Sequence, residues 1–162
     1  MKNLIIILFT ATLLFSCSNK EKEFDESLQA SYKEMKYIIE KGGEMVATNA
    51  YCWYQLNTIG KSEEYVALFL KQEWEKKEYI DSLNFHKKLF SVYTSKLDNK
   101  LESRKECFTD YMRLFEKTIE LARQAENIGG PMHYYIQTSS DNLTSLKDGV
   151  EVFEKKYKDL LE

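Results

Sequence analysis

Apolar residues recur along this chain at alternating four- and three-residue steps, the spacing of helices that pack along a shared seam. The first run passes through Leu28, Tyr32, Met35, Ile39, Gly42, Val46, Asn49, Trp53 and Leu56, and keeps its phase across Gly42-Gly43. It predicts one helix over 22–58, weakened by roughly 1 kcal/mol at each glycine. Ile59-Gly60-Lys61 reads as a turn. Ser62 is then a good N-cap, with Glu63 and Glu64 complementing the positive helix end.

The second run, Tyr65, Phe69, Gln72, Lys76, Tyr79, Leu83, His86, Phe90, Tyr93 and Leu97, predicts a helix over 62–97. The phase slips at Asp98-Asn99, residues that tolerate a tight reversal. The third run, Leu101, Arg104, Phe108, Tyr111, Phe115, Thr118, Ala122 and Ala125, fills 100–128. Gly129 suits a C-terminal cap and Pro131 the start of a last helix over 131–161. That helix carries Met132, Ile136, Ser139, Leu143, Leu146, Val150, Phe153, Tyr157 and Leu160 on its seam. The expected fold is all-α, an antiparallel up-down-up-down four-helix bundle over 24–162. Its length would be about 45 to 55 Å.

Ahead of the bundle stands Met1–Ser16, with Lys2 followed by an apolar run from Leu4 to Phe15. The run is too short to span a bilayer and reads as a secretory signal. Leu14-Phe15-Ser16-Cys17 resembles the lipobox of bacterial lipoproteins, with Phe15 bulkier than that family usually carries. The resemblance implies cleavage before Cys17 and a covalent diacylglycerol and fatty acyl at that residue. Residues 17–23 would form a lipidated tether, and the acyl chains would hold the protein to a membrane. Ser18 next to Cys17 is similar to the pattern that sends enterobacterial lipoproteins to the outer membrane. The following Lys20-Glu21-Lys22-Glu23 loosely resembles the charged export tags of Bacteroidota surface lipoproteins. The expected location is the cell envelope, lipid-anchored at the outer membrane, on its periplasmic or surface face.

Charge narrows the partners. With 23 basic and 26 acidic residues, the chain has no basic excess to neutralise phosphates, so nucleic acid is not an expected partner. Cys52 and Cys107 would lie roughly 20 Å apart along the axis, beyond the roughly 7 Å α-carbon limit of a disulfide. Two histidines, neither in a Glu-x-x-His pair, leave no metal site to expect. No nucleophile motif or phosphate loop is present, so the domain reads as non-enzymatic, with no cofactor beyond the lipid.

Two uses of the bundle remain. Counted from the end that carries the Gly60 and Gly130 turns, Asn49, Gln72, Thr118 and Ser139 fall at one level, with Lys76 a turn below. They form either a packed polar layer that fixes register or a small ligand pocket between helices. Tyr51, Trp53 and Tyr54 cluster near the membrane-distal end of the first helix and are candidate interface residues. The expected function is a protein-interaction or scaffold module that binds another envelope protein. A ligand-binding or sensing module built on the polar layer is the alternative.

Overall fold

The computed structural model describes the backbone of residues 2–128 and 131–162, and side chains from Asn19 onward except Lys76. The side chains of residues 1–18, that of Cys17 among them, and the Gly129-Gly130 cap fall outside the described residues. The described residues are helical and contain no strand. Helix α1 runs Lys2–Thr58, α2 Glu63–Lys76, α3 Tyr79–Thr94, α4 Lys105–Glu126, α5 Met132–Lys156 and α6 Lys158–Leu161, with a 3-10 turn at Glu102–Arg104 before α4. No helix among the described residues is long and apolar enough to cross a membrane.

Helix α1 ends at Thr58, and Gly60 makes the turn at φ +79°, where a side chain would be strained. Ser62 caps α2 by accepting from the Tyr65 amide at 3.3 Å. The uninterrupted helix expected over 62–97 is broken. Lys77 closes α2, and Glu78 adopts the left-handed conformation at φ 56° before α3 restarts. No glycine or proline stands there, and a non-glycine residue in that region costs about 1 kcal/mol. The heptad phase survives the break, which is why periodicity alone does not show it. The last expected helix is likewise interrupted at Tyr157, between α5 and α6.

Helix α1 touches every other helix. Side-chain pairs give the directions. Asn49 meets Trp74, Tyr37 meets Ser82 and Ser31 meets Thr94, so α2 and α3 run antiparallel to α1. Asp25 meets Arg104 and Ser31 meets Tyr111, so α4 runs parallel to α1. Tyr32 meets Glu154 and Gln29 meets the Leu160 carbonyl, so α5 and α6 run antiparallel to it. The main core is built on Leu28, Met35, Ile38, Met45, Leu83, Phe90, Tyr111, Leu121, Leu146 and Phe153. A smaller cluster of Trp53, Val66, Leu70 and Tyr135 closes the end that carries the α1–α2 turn.

One register differs from the count made along the sequence. Asn49, nine residues before the end of α1, approaches the Ala125 carbonyl, one residue before the end of α4. Helix α4 therefore stops about 12 Å short of the α1 end at 1.5 Å per residue. Asn127 leaves the helix at φ −108° and ψ 87°, and the Met132 amide at the start of α5 donates to Glu63 at 3.2 Å. Counting from a common plane at Gly60 and Gly130 placed α4 too high.

Candidate functional site

Asn49 is fully buried, and its amide is occupied on both ends. The Trp74 indole N–H donates to Oδ1 at 2.6 Å, while Nδ2 donates to the Tyr135 hydroxyl at 3.1 Å and to the Ala125 carbonyl at 3.4 Å. The Tyr135 hydroxyl in turn donates to the Gln124 carbonyl at 2.9 Å. Burial pushes this phenol up to about 12, and the hydrogen bond from Asn49 opposes the shift. One amide thus links α1, α2, α4 and α5 at the junction between the main core and the end cluster.

The other members of the expected layer do not converge on it. Thr118 and Ser139 are buried, but each hydroxyl donates to a carbonyl four residues back in its own helix, those of Leu114 and Tyr135. Gln72 is exposed, on the face of α2 opposite Val66 and Leu70. The side chain of Lys76 falls outside the described residues. The Gln72 expectation fails because α2 is a separate helix that buries only the stripe Val66, Leu70 and Trp74. None of the four hydroxyl and amide side chains lines the surface hollows beside Lys36 and Glu154, Lys71 and Glu126, Asp110 and Lys156, or Tyr37 and Ser82.

The aromatic triplet at the end of α1 splits. Tyr51 is 65% exposed and Tyr54 59%, whereas Trp53 is 1% exposed and packs against Tyr135 with ring centroids 5.3 Å apart. Trp53 is a core residue, since it lies on the same helical stripe as Asn49 and Leu56. Ile59, Tyr65, Leu68 and Phe69 are also exposed around this end, so apolar surface extends over both α1 and α2 there.

Two further polar clusters escaped the sequence reading. Deep in the main core, the Tyr111 hydroxyl donates to Ser31 at 2.7 Å, and Ser31 and Thr94 share a hydrogen bond of 2.6 Å. Burial raises the Tyr111 phenol well above its ordinary range. Nearer the surface, His86 Nδ1 meets the Glu34 carboxylate at 2.5 Å. The Tyr37 ring stacks on His86 at 3.6 Å, and its hydroxyl meets Ser82 at 2.5 Å. The sequence signal for both was register. His86 and Glu34 stand equally far from the Gly60 turn, as do Phe90 and Ser31 within one residue.

Cys52 and Cys107 are free thiols. Burial pushes the Cys107 thiol up to about 12, which removes its nucleophilic form at neutral pH. Among the described residues no group of three His, Cys, Asp or Glu side chains is placed to hold a metal ion. No protein-family model, curated protein or solved structure matches this chain.

Proposed function

We propose that the mature protein is a non-enzymatic lipoprotein of the cell envelope, anchored through Cys17, whose helices present a docking surface for another envelope protein. In this reading α1, the broken pair α2–α3, α4 and α5 make an up-down-up-down four-helix bundle. The observation that carries it is the exposed aromatic end of that bundle: Tyr51 and Tyr54 on α1, Tyr65 and Phe69 on α2. Monomeric proteins rarely leave large aromatic side chains grouped in solvent, and Tyr is a common interface anchor. The Asn49 layer favours register over ligand binding, because its amide is occupied on both ends by protein groups.

Affinity purification of the lipidated protein from its native envelope tests this, with mass spectrometry of retained proteins. A stoichiometric partner lost in Tyr51→Ala/Tyr54→Ala, with the urea midpoint unchanged, supports the reading. A partner set identical in wild type and variant removes the aromatic end as the docking surface.

A further inference from the structure

The break between α2 and α3 opens a hollow of about 250 Å³, walled by Tyr37, Lys41, Lys77, Glu78, Tyr79 and Ser82. We propose that it binds a small soluble phosphate monoester that also carries a hydroxyl group. This is independent of the protein-docking reading, and it uses none of the residues at the aromatic end.

The walls divide by chemistry. On one side stand two ammonium groups, those of Lys41 and Lys77, 5.7 and 6.0 Å from the centroid of the same Tyr79 ring. Lys41 is already shared with Glu44 at 3.3 Å and Glu40 at 3.6 Å. Lys77 lies over two ring faces, Trp74 at 5.2 Å and Tyr79 at 6.0 Å, with no carboxylate within ion-pair distance among the described residues. It is the cation left with its charge available. A phosphate monoester brings about two negative charges at neutral pH, which Lys77 meets with its open charge and Lys41 with the ammonium hydrogens left over from Glu44 and Glu40.

On the other side the Tyr37 and Ser82 hydroxyls are held together, and the Tyr37 ring is clamped on His86, which is itself fixed by Glu34. This wall is therefore positioned before any ligand arrives, which lowers the ordering cost of binding. Glu78 adds a carboxylate at the mouth, a poor neighbour for bare phosphate but an acceptor for a ligand hydroxyl. The volume admits a ligand of a few heavy atoms and excludes a large one. The left-handed Glu78 backbone, in a segment with no glycine or proline to force a break, places Lys77 and Tyr79 on the same opening.

The test uses mature lipidated protein in detergent micelles, titrated at constant ionic strength with glycerol 3-phosphate and followed by calorimetry. Inorganic phosphate and vesicles containing phosphatidylglycerol serve as separate arms. Saturable one-to-one binding of glycerol 3-phosphate is expected, tighter than that of inorganic phosphate. Lys77→Gln should weaken it by about tenfold or more, since a charge-assisted hydrogen bond is lost. Tyr37→Phe should weaken it less. Lys147→Gln, at an exposed position on α5, should leave it unchanged. Absence of saturation, equal loss in Lys77→Gln and Lys147→Gln, or binding to vesicles alone would overturn the proposal.

Discussion

The Trp74 indole N–H reaches Asn49 Oδ1 at 2.6 Å, so the two helices that leave the Gly60 turn are joined by a buried polar bond. Trp74 belongs to the main core, while Tyr135, the other partner of Asn49, belongs to the end cluster. Both cores are therefore fixed in register by one side chain. Apolar packing alone tolerates a slip of a turn along a seam, whereas a shifted Asn49 would bury unpaired groups.

Asn49→Ala should therefore destabilise the protein by about 2 to 3 kcal/mol, because it strands the Trp74 N–H without an acceptor. Asn49→Leu should do no better, since filling the volume does not pair the indole. Asn49→Leu/Trp74→Phe should recover a large part of the loss, as both polar partners are then gone. Urea unfolding of wild type, Asn49→Leu, Trp74→Phe and Asn49→Leu/Trp74→Phe measures the coupling. Equal and additive losses in the two single variants would show that the bond contributes nothing.

Glycines on facing helices should respond with different signs. A Cβ built on Gly42 meets Leu121 at 3.6 Å, an ordinary contact, so Gly42→Ala should stabilise α1 by roughly 0.5 to 1 kcal/mol through helix propensity. A Cβ on Gly149 falls 2.9 Å from Leu114 Cδ2, in a half-buried contact between α5 and α4. There the same propensity gain is set against displacement of a packed leucine, and Gly149→Ala should be neutral or destabilising. Gly149→Ala in a Leu114→Val background should show a smaller penalty than in the wild type. Thermal midpoints of wild type, Gly42→Ala, Gly149→Ala, Leu114→Val and Leu114→Val/Gly149→Ala test this.

Where the pattern of apolar positions met a physical constraint of its own period, it could be followed closely. The end of α1 at Thr58, the Ser62 cap and the continuity of α1 through Gly42-Gly43 all follow from phase and capping chemistry. The α2–α3 break does not. A single left-handed residue at Glu78 bends the chain without disturbing the heptad count. The polar layer assumes that all helices start from one plane, whereas α4 ends at Glu126, close to the level of Asn49. Trp53 and Tyr51 differ by 200° around the helix at 100° per residue, so neighbours in sequence took opposite fates. The exposed tyrosines could be read; the tryptophan between them belonged to the seam.

Acid should weaken the fold through two carboxylates that bridge distant helices. Hydrogen bonds from Lys156, and then Tyr157, hold Asp110 below its usual range, and a hydrogen bond from Tyr32, then Lys36, does the same for Glu154. Burial opposes the shift in both cases. Their stabilising effect is complete above the unfolded-state values near about 4. As pH falls below that, the unfolded chain takes up protons before the native one does, and stability declines until the native carboxyls also protonate. Urea midpoints measured from neutral pH downward should fall through this window. Asp110→Asn should flatten the decline, because one of the two shifted groups is removed. An unchanged acid slope in Asp110→Asn would assign the loss to other groups.

Two residues apart on α1, Tyr51 and Trp53 should separate stability from recognition. Trp53 is 1% exposed among Val66, Leu70 and Tyr135, so Trp53→Ala opens a large cavity in a small cluster and should cost about 3 to 5 kcal/mol. Its indole N–H has no hydrogen-bond partner among the described residues, so Trp53→Phe leaves no acceptor unpaired and should cost far less than alanine. Tyr51→Ala and Tyr54→Ala remove rings that stand mostly in solvent and should shift stability by no more than about 0.5 kcal/mol. Urea unfolding of all four variants checks the ranking. A loss above about 2 kcal/mol in Tyr51→Ala would mean that its ring packs within the fold, and the aromatic end would then no longer be available as a docking surface.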